Sequence, residues 1–359
     1  MRLTLLSRAG GLTLARDLPP TGPGKIPLLR RGSVVTPRYQ AALAEHGFQA
    51  VWVEDALSAG IEPEELLPEP VRAATAARVA SGLDHARAAL GGGGALAPHA
   101  LKDLQDVVAL IAGSIRDSPG AALCLGDLAA ADQYTHRHSV NVTALGLHLA
   151  RVHWRREGWV DHRGQRRWDR LDRRLAVLGL GLLLHDIGKM AVPAEVLDKP
   201  GPLDAAEWEL MKTHPTAGAA LLETAAISPL VRSVIRDHHE RVDGSGYPRG
   251  LAGERLGEMP RLAAVADVYD AITSERPYAA AAPPHVGVSA ITDGSGTAFD
   301  PGVVASFQRV VMPYPVGTEV ELHDGLIGVV AHVDEGRPYE PLVRFAGGER
   351  RIDLRGHAG

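Results

Sequence analysis

The segment LLLHDIGK, residues 182–189, ends a strongly apolar run with three polar residues, His185, Asp186 and Lys189. We predict a helix that ends here, with Gly188 permitting the chain to turn. A buried charge is costly unless it is paired or bound to a metal. Taken alone, the segment would favour a helix end with solvated polar residues, so its meaning depends on the rest of the chain.

A second histidine lies on a predicted helix around residues 136–149. His138 shares one helical face with Val142, Leu145 and Leu149, so it is expected to point inward. A single inward histidine is more often a satisfied core residue than a ligand.

A third histidine follows a helix with a clear start signal. Asp204 and Glu207 predict a capping box. We expect this helix to carry His214 at its end, with Pro215 holding that histidine in an extended conformation.

Two adjacent histidines follow another apolar helix. Val231, Val234 and Ile235 predict a buried face that leads into His238 and His239. Both side chains can turn toward one site near the end of the helix.

Two aspartates lie three residues apart on a helix predicted over residues 262–274. Asp267 and Asp270 therefore face the same way, and the neighbouring alanines supply no countercharge. A bound cation would relieve the cost of burying them. Five histidines and three aspartates at the ends of apolar helices predict a metal site, and this mixture of ligands suits Fe, Mn, Zn or Co better than Ca or Mg alone.

Composition limits the other classes of function. The 359 residues carry a net charge of −5, which gives no broad basic face for nucleic acid or an anionic membrane. The single cysteine, Cys124, excludes an intramolecular disulfide and makes a cysteine-based zinc site improbable. The longest apolar run is about half the length of a membrane span, and the start of the chain does not fit a signal peptide. We expect a cytoplasmic protein.

Four regions follow from the patterns along the chain. Residues 1–62 predict a small α+β unit, 63–118 a helical linker, 119–311 the main helical domain with every strong motif, and 312–359 a small β-rich unit. The expected fold class is mainly α, a helical bundle with two small flanking units.

The linker contains a heptad-like seam. Leu101, Leu104, Val108, Ile111 and Ile115 alternate at spacings of three and four. Packing on a neighbouring helix of the same chain is the favoured interpretation, and a homodimer contact through residues 100–116 is the alternative.

The last unit predicts a β-hairpin that caps the main domain. Asp324-Gly325 suits a tight turn. Apolar residues alternate with polar ones on both sides of it: Val320 and Leu322, then Ile327, Val329, Ala331 and Val333.

Taken together, the motifs resemble the HD-GYP subgroup of HD-domain phosphohydrolases. The matching segments are HDIGK (185–189), HHER (238–241), DG (243–244), GYP (246–248), ADVYDAITS (266–274) and RPY (276–278). The resemblance covers residues 119–311 and implies a helical HD-domain bundle.

The resemblance also implies a ligand set for two divalent metal ions. His138, His185, Asp186 and Asp267 would hold one ion, and Asp186 would bridge to a second. The other ligands of the second ion would be His214, His238 and His239. Some relatives add a third metal through a carboxylate at the position of Tyr134, so two ions are expected here. Fe or Mn is favoured, with Zn, Co, Ni and Mg as alternatives.

The implied activity is hydrolysis of cyclic di-GMP to linear pGpG, GMP or both. Two metal ions can share a hydroxide, which supplies a nucleophile at neutral pH. Lys189 would meet a phosphate oxygen, Tyr247 would shape the binding loop, and Arg276 would contact phosphate or guanine. Asp270, just outside the metal ligands, would handle a proton or orient a ligand, and it is also a candidate substrate contact. Relatives often carry a basic residue after RPY, where this chain has Ala279, so some phosphate contacts are in question.

Three alternatives stay open. The site could act on another cyclic dinucleotide or a nucleotide, or the chain could be a non-catalytic cyclic di-GMP receptor. A purely structural helical domain is the third and leaves the buried polar groups unexplained. The N-terminal unit could bind a signalling partner or serve only as a structural companion.

Overall fold

The computed structural model describes most of the chain. The described residues are 1–18, 28–45, 48, 50–63, 66–67, 98–117, 134–161, 163–199, 201–274, 281–334 and 336–355, with scattered positions between 71 and 88. Among them, the α-helices are Pro37–Glu45 (α1), Pro98–Asp117 (α2), Tyr134–Glu157 (α3), Leu171–Leu183 (α4), Ala194–Leu197 (α5), Ala205–Met211 (α6), His214–Leu221 (α7), Pro229–Asp237 (α8), Glu258–Thr273 (α9), Pro284–Asp293 (α10) and Pro301–Val310 (α11). The strands are Arg2–Leu5 (β1), Thr13–Leu14 (β2), Ala50–Glu54 (β3), Trp159–Val160 (β4), Arg166–Arg167 (β5), Glu319–Glu321 (β6), Ile327–His332 (β7), Leu342–Phe345 (β8) and Gly348–Arg351 (β9).

A helical bundle makes up the centre of the protein, as the sequence predicted. Its core consists of apolar side chains from α2, α3, α4, α8, α9 and α11. Helix α3 packs on both α4 and α9, and α4 also packs on α8. These contacts bring the ends of α3, α4, α8 and α9 to one side of the bundle. Among the described residues, no helix is both long and apolar enough to cross a membrane.

The seam of α2 is part of this core. Leu104, Val108, Ile111 and Ile115 are buried there, and Leu101 packs against the same cluster. Helix α2 contacts α3 and α4 of its own chain. The favoured interpretation of the heptad pattern, packing on a neighbouring helix, is therefore confirmed.

The segment around His214 differs from the prediction. The capping box of Asp204 and Glu207 forms as expected and starts α6. However, α6 ends at Met211, and His214 begins the next helix rather than lying in an extended segment. Pro215 is accepted in the first turn of α7 because the amide hydrogen that proline lacks would have no partner inside the helix there.

Gly188 also has a different role from the predicted turn. It lies within the 3-10 helix Ile187–Ala191 and outside the left-handed region of backbone conformation. A Cβ atom at this position would lie 1.9 Å from the His214 carbonyl oxygen and 2.4 Å from the Gly218 nitrogen. Glycine is needed because the backbone of α7 passes directly against it.

The two terminal units contact each other. The N-terminal sheet has the order β1-β3-β2 and the C-terminal sheet the order β6-β7-β8-β9, with antiparallel pairs in both. Leu3 forms a bridge to Thr318, and the buried Glu319 carboxylate accepts hydrogen bonds from Arg2, Thr4 and Arg8. The sequence did not predict this contact.

The C-terminal hairpin forms as predicted, with a positive φ at Gly325. Strict alternation along β7 is wrong, because the adjacent residues Val329 and Val330 are both buried and the register shifts between Val330 and His332. Contact with the main bundle includes His285, whose ring stacks on that of Tyr314 at 5.2 Å.

Candidate metal centre and active site

Seven candidate ligands from five parts of the bundle meet in one buried cluster. His138 lies near the start of α3, His185 and Asp186 follow α4, His214 begins α7, His238 and His239 follow α8, and Asp267 lies on α9. All are buried except His239, which is half-buried. Six of them form two groups that could each hold a metal ion: His138, His185 and Asp186, and His214, His238 and His239.

Three of the histidines are oriented in the same way. The Nδ1 atoms of His185, His214 and His238 lie 2.7, 2.8 and 2.8 Å from the carbonyl oxygen three residues earlier. A carbonyl can only accept, so each Nδ1 carries the proton and each Nε2 presents a lone pair. Because the ends of their helices converge, these lone pairs point into the cluster.

His138 is oriented by a carboxylate instead. Its Nδ1 lies 2.6 Å from Asp270 Oδ2, and its Nε2 lies 3.2 Å from both Asp267 Oδ1 and His185 Nε2. Burial lowers the pKa of His138, but the hydrogen bonds and charges of Asp267 and Asp270 outweigh burial and raise it to about 9. The carboxylates therefore stabilise positive charge at this point.

Asp186 lies between the two groups. Its Oδ1 is 3.3 Å from His214 Nε2, and its Oδ2 is 3.4 Å from His185 Nε2 and 2.6 Å from Lys189 Nζ. Burial raises the pKa of this carboxyl, yet the positive charge of Lys189 brings it well below its usual range. Asp186 is therefore ionised and can face two cations at once.

Asp267 also spans the two groups, which the sequence did not suggest. Its Oδ1 faces His138, and its Oδ2 lies 3.7 Å from His239 Nδ1. Burial raises its pKa, but the hydrogen bond from His138 and the positive charge of that ring hold it well below the usual value. The cluster thus contains two ionised carboxylates.

His238 and His239 are neutral in this setting. Burial, which is the largest effect, lowers the pKa of His238 well below its usual value and that of His239 to about 3. Neutral imidazole is the form that binds a metal. Five imidazoles and two carboxylates without a thiolate fit divalent transition metals.

The proposed catalytic and substrate residues fall on different sides of the cluster. Lys189 is 29% exposed, so its ammonium group is accessible from the open side. Asp270 is fully buried, and its oxygens accept from His138, Asn141 and Ser274. It therefore lies behind His138, and its position does not support direct contact with a substrate.

The predicted binding loop packs on the metal cluster. Tyr247 stacks on the His239 ring at 4.8 Å with an interplanar angle of 28°. A Cβ on Gly246 would lie 2.4 Å from the Arg241 nitrogen and 2.5 Å from the His239 carbonyl oxygen, so glycine permits this close approach. Arg276 and Ala279 lie outside the described residues, as does the side chain of Tyr134.

The sequence analysis missed the residues that hold this loop in place. The fully buried Glu240 accepts hydrogen bonds from the backbone nitrogens of Arg249 at 2.7 Å and Leu251 at 2.8 Å. Asp237, also buried, pairs with the Arg249 guanidinium at 2.7 Å. The sequence feature that could have identified them is the pair of acidic residues that flank His238 and His239. Asn141, one helical turn after His138, is the corresponding feature for Asp270, to which it donates a hydrogen bond.

Comparisons with known proteins agree with this geometry. Residues 165–303 match the family model described as HD domain. A cyclic di-GMP phosphodiesterase of Pseudomonas aeruginosa is 42% identical over 226 residues, which cover 63% of this chain and 51% of that protein. A cyclic di-GMP phosphodiesterase of Thermotoga maritima is 36% identical over 181 residues, 50% of this chain and 45% of that protein. A 3′3′-cGAMP-specific phosphodiesterase of Vibrio cholerae is 38% identical over 133 residues, 37% of this chain and 29% of that protein.

The chain spans about half of the length of the first of these relatives and less of the other two. The matched family region, 165–303, contains six of the seven candidate ligands, and His138 on α3 completes the cluster. Residues 165–303 are therefore similar to the HD-domain family, and the predicted resemblance to the HD-GYP subgroup is confirmed.

Proposed function

We propose that this protein is a metal-dependent phosphodiesterase that hydrolyses cyclic di-GMP to linear pGpG, GMP or both. The observation that carries the proposal is the buried cluster of five imidazoles and two ionised carboxylates next to an accessible lysine. The names of two of the relatives support cyclic di-GMP as the substrate.

Two divalent ions, Fe or Mn in preference to Zn, Co, Ni or Mg, fit the two groups of ligands. His138, His185, Asp186 and Asp267 would hold one, and Asp186 would share the other with His214, His238 and His239. When bound, such a pair supplies Lewis acidity and lowers the pKa of water.

The protein's own groups would bind and orient the substrate. Lys189 offers a compact positive charge to a phosphate oxygen, and its pairing with Asp186 keeps it beside the metal ligands. Asp270 orients His138 and keeps its Nε2 directed at the cluster, as outer carboxylates commonly do for metal-bound histidines. Tyr247 forms one wall of the site through its stacking on His239.

Hydrolysis of another cyclic dinucleotide is the second candidate, because one relative is named for 3′3′-cGAMP. We favour catalysis over a receptor function since the sequence retains every residue expected to bind two ions. We propose no homodimer through the seam of α2, because its side chains are buried in the chain's own core. A signalling partner for the N-terminal unit stays a prediction.

The first experiment is to purify the full chain without chelator, measure its metals, and incubate it with cyclic di-GMP or 3′3′-cGAMP under reducing conditions with added Mn or Fe. Conversion of cyclic di-GMP to pGpG or GMP that is lost on chelation is the expected result. Preferred turnover of 3′3′-cGAMP would support the second candidate. Tight binding of cyclic di-GMP without turnover by the metal-loaded protein would identify a receptor.

A further inference from the structure

Next to the metal cluster, α6 presents a tryptophan to solvent. Trp208 is 47% exposed although it belongs to the residue types with the largest apolar surface. Its ring contacts that of Tyr247 at a steep angle, with centroids 6.4 Å apart and planes at 75°. Tyr247 in turn stacks on His239, so the three side chains form a continuous aromatic row from a metal ligand to the surface.

The row is held in place from both ends. Helix α6 is fixed by the capping box of Asp204 and Glu207, and Lys199 donates to Glu207 at 2.5 Å. At the other end, Glu240 fixes the loop that carries Tyr247. The backbone that carries Trp208 is therefore ordered before any ligand arrives, which reduces the entropy lost when a ligand binds.

We propose that Trp208 stacks on a nucleobase of the substrate while the phosphodiester lies at the metal cluster. Because Trp208 is 47% exposed, part of its ring surface is open to solvent, and a purine offers a flat, polarisable partner of similar size. Stacking between a base and an aromatic side chain is a common way to bind nucleotides without reading their sequence. This inference rests on the proposed function and adds a residue that selects nucleotides over other phosphodiesters.

A purely structural role for Trp208 makes different predictions. If its task were to shield Tyr247, its loss would loosen the loop next to His239 and lower metal content or turnover. A stacking role instead affects KM for the dinucleotide and leaves bound metal and kcat near their original values.

The test uses three variants of the full chain. Trp208→Ala should raise KM for cyclic di-GMP by about 5- to 100-fold, given what a stacked base contributes to binding. Trp208→Phe should retain most of the affinity. The control is Trp168→Ala, because Trp168 is 59% exposed and follows the far end of α3 in the chain. That end of α3 lies about 28 Å along the helix from His138. The KM of this control variant should not change.

Tryptophan fluorescence supplies a second readout that does not need turnover. Adding cyclic di-GMP should quench emission at early times in the wild type and in Trp168→Phe, and much less in Trp208→Phe. Unchanged KM in Trp208→Ala, equal quenching in both phenylalanine variants, or a loss of metal in Trp208→Ala would overturn the inference. Failure of the wild type to hydrolyse cyclic di-GMP would count against the proposed function, while the quenching would still report whether Trp208 meets a base.

Discussion

At the scale of single residues, the hydrogen bond made by the Nδ1 atom of each of four histidines determines the direction in which its Nε2 atom points. Backbone carbonyls hold the Nδ1 atoms of His185, His214 and His238, and Asp270 holds that of His138. The inward Nε2 atoms are thus aimed at common points before a metal binds. Such oriented ligands bind a metal with a smaller loss of conformational entropy than free side chains.

Asp186→Ala tests the central carboxylate. Because Asp186 faces ligands of both groups, we expect the variant to lose bound metal and hydrolysis of cyclic di-GMP together. Elemental analysis and product chromatography measure the two effects. Asp334→Ala, at an exposed carboxylate in the C-terminal unit, is the control and should change neither. Full activity of Asp186→Ala would refute the two-metal arrangement.

Gly188→Ala tests the close packing of the 3-10 helix against α7. The added methyl group would overlap the His214 carbonyl oxygen, so we expect the free energy of unfolding to fall by about 1–3 kcal/mol or more. Gly113→Ala is the matched control, since it lies in α2 with no atom within 4 Å of the new methyl group; it should stabilise by about 0.5–1 kcal/mol. Chemical denaturation measures both, and a harmless Gly188→Ala would contradict the packing argument.

At the scale of elements, helix ends and one loop build the site. The apolar faces of α4 and α8 pack in the core, so the polar residues that follow each helix are carried to the same side of the bundle. The loop after α8 then returns across the cluster and is tied down by Glu240 and Asp237. The loop has a defined shape because its backbone nitrogens find buried acceptors.

Glu240→Gln tests this tie. One carboxylate oxygen becomes an amide donor that faces a backbone N–H group, so one buried hydrogen bond is lost at a cost of about 1–3 kcal/mol. We expect lower stability, faster proteolysis of the loop and a raised KM, with metal retained. Glu254→Gln, at an exposed position in the same region, should behave as wild type. Equal stability of the two variants would show that Glu240 does not hold the loop.

At the scale of the whole molecule, the two ends of the chain meet. The side chain of Glu319 in β6 is only 8% exposed and accepts hydrogen bonds from Arg2, Thr4 and Arg8 of the N-terminal unit. Arg2 also pairs with Asp55 at 2.9 Å. The small terminal sheets stabilise each other through these contacts, since neither sheet alone buries a large core.

Glu319→Ala tests the contact between the two ends. The substitution removes the acceptor of three hydrogen bonds, while Arg2 keeps Asp55 and Arg8 keeps Glu321 as ionic partners. We expect a loss of about 1–3 kcal/mol in the free energy of unfolding. The neighbouring Glu321 is 47% exposed and pairs only with Arg8 among the described residues, so Glu321→Ala should cost less than about 1 kcal/mol. Similar losses in the two variants, measured by denaturant unfolding, would argue against the contact.

The amino-acid sequence by itself determined which side chains enter the cluster and, except for His214, which helices carry them. Its local patterns, the apolar faces that end in histidine and the capping box before α6, depend on neighbours a few residues apart and were predictable for that reason. Only the tertiary structure decided that Asp270 lies behind His138 and that Asp267 contacts histidines of both ligand groups. It also decided that the backbone of α7 packs directly against Gly188. These relations join residues far apart in the chain, and helix packing sets them rather than any local pattern.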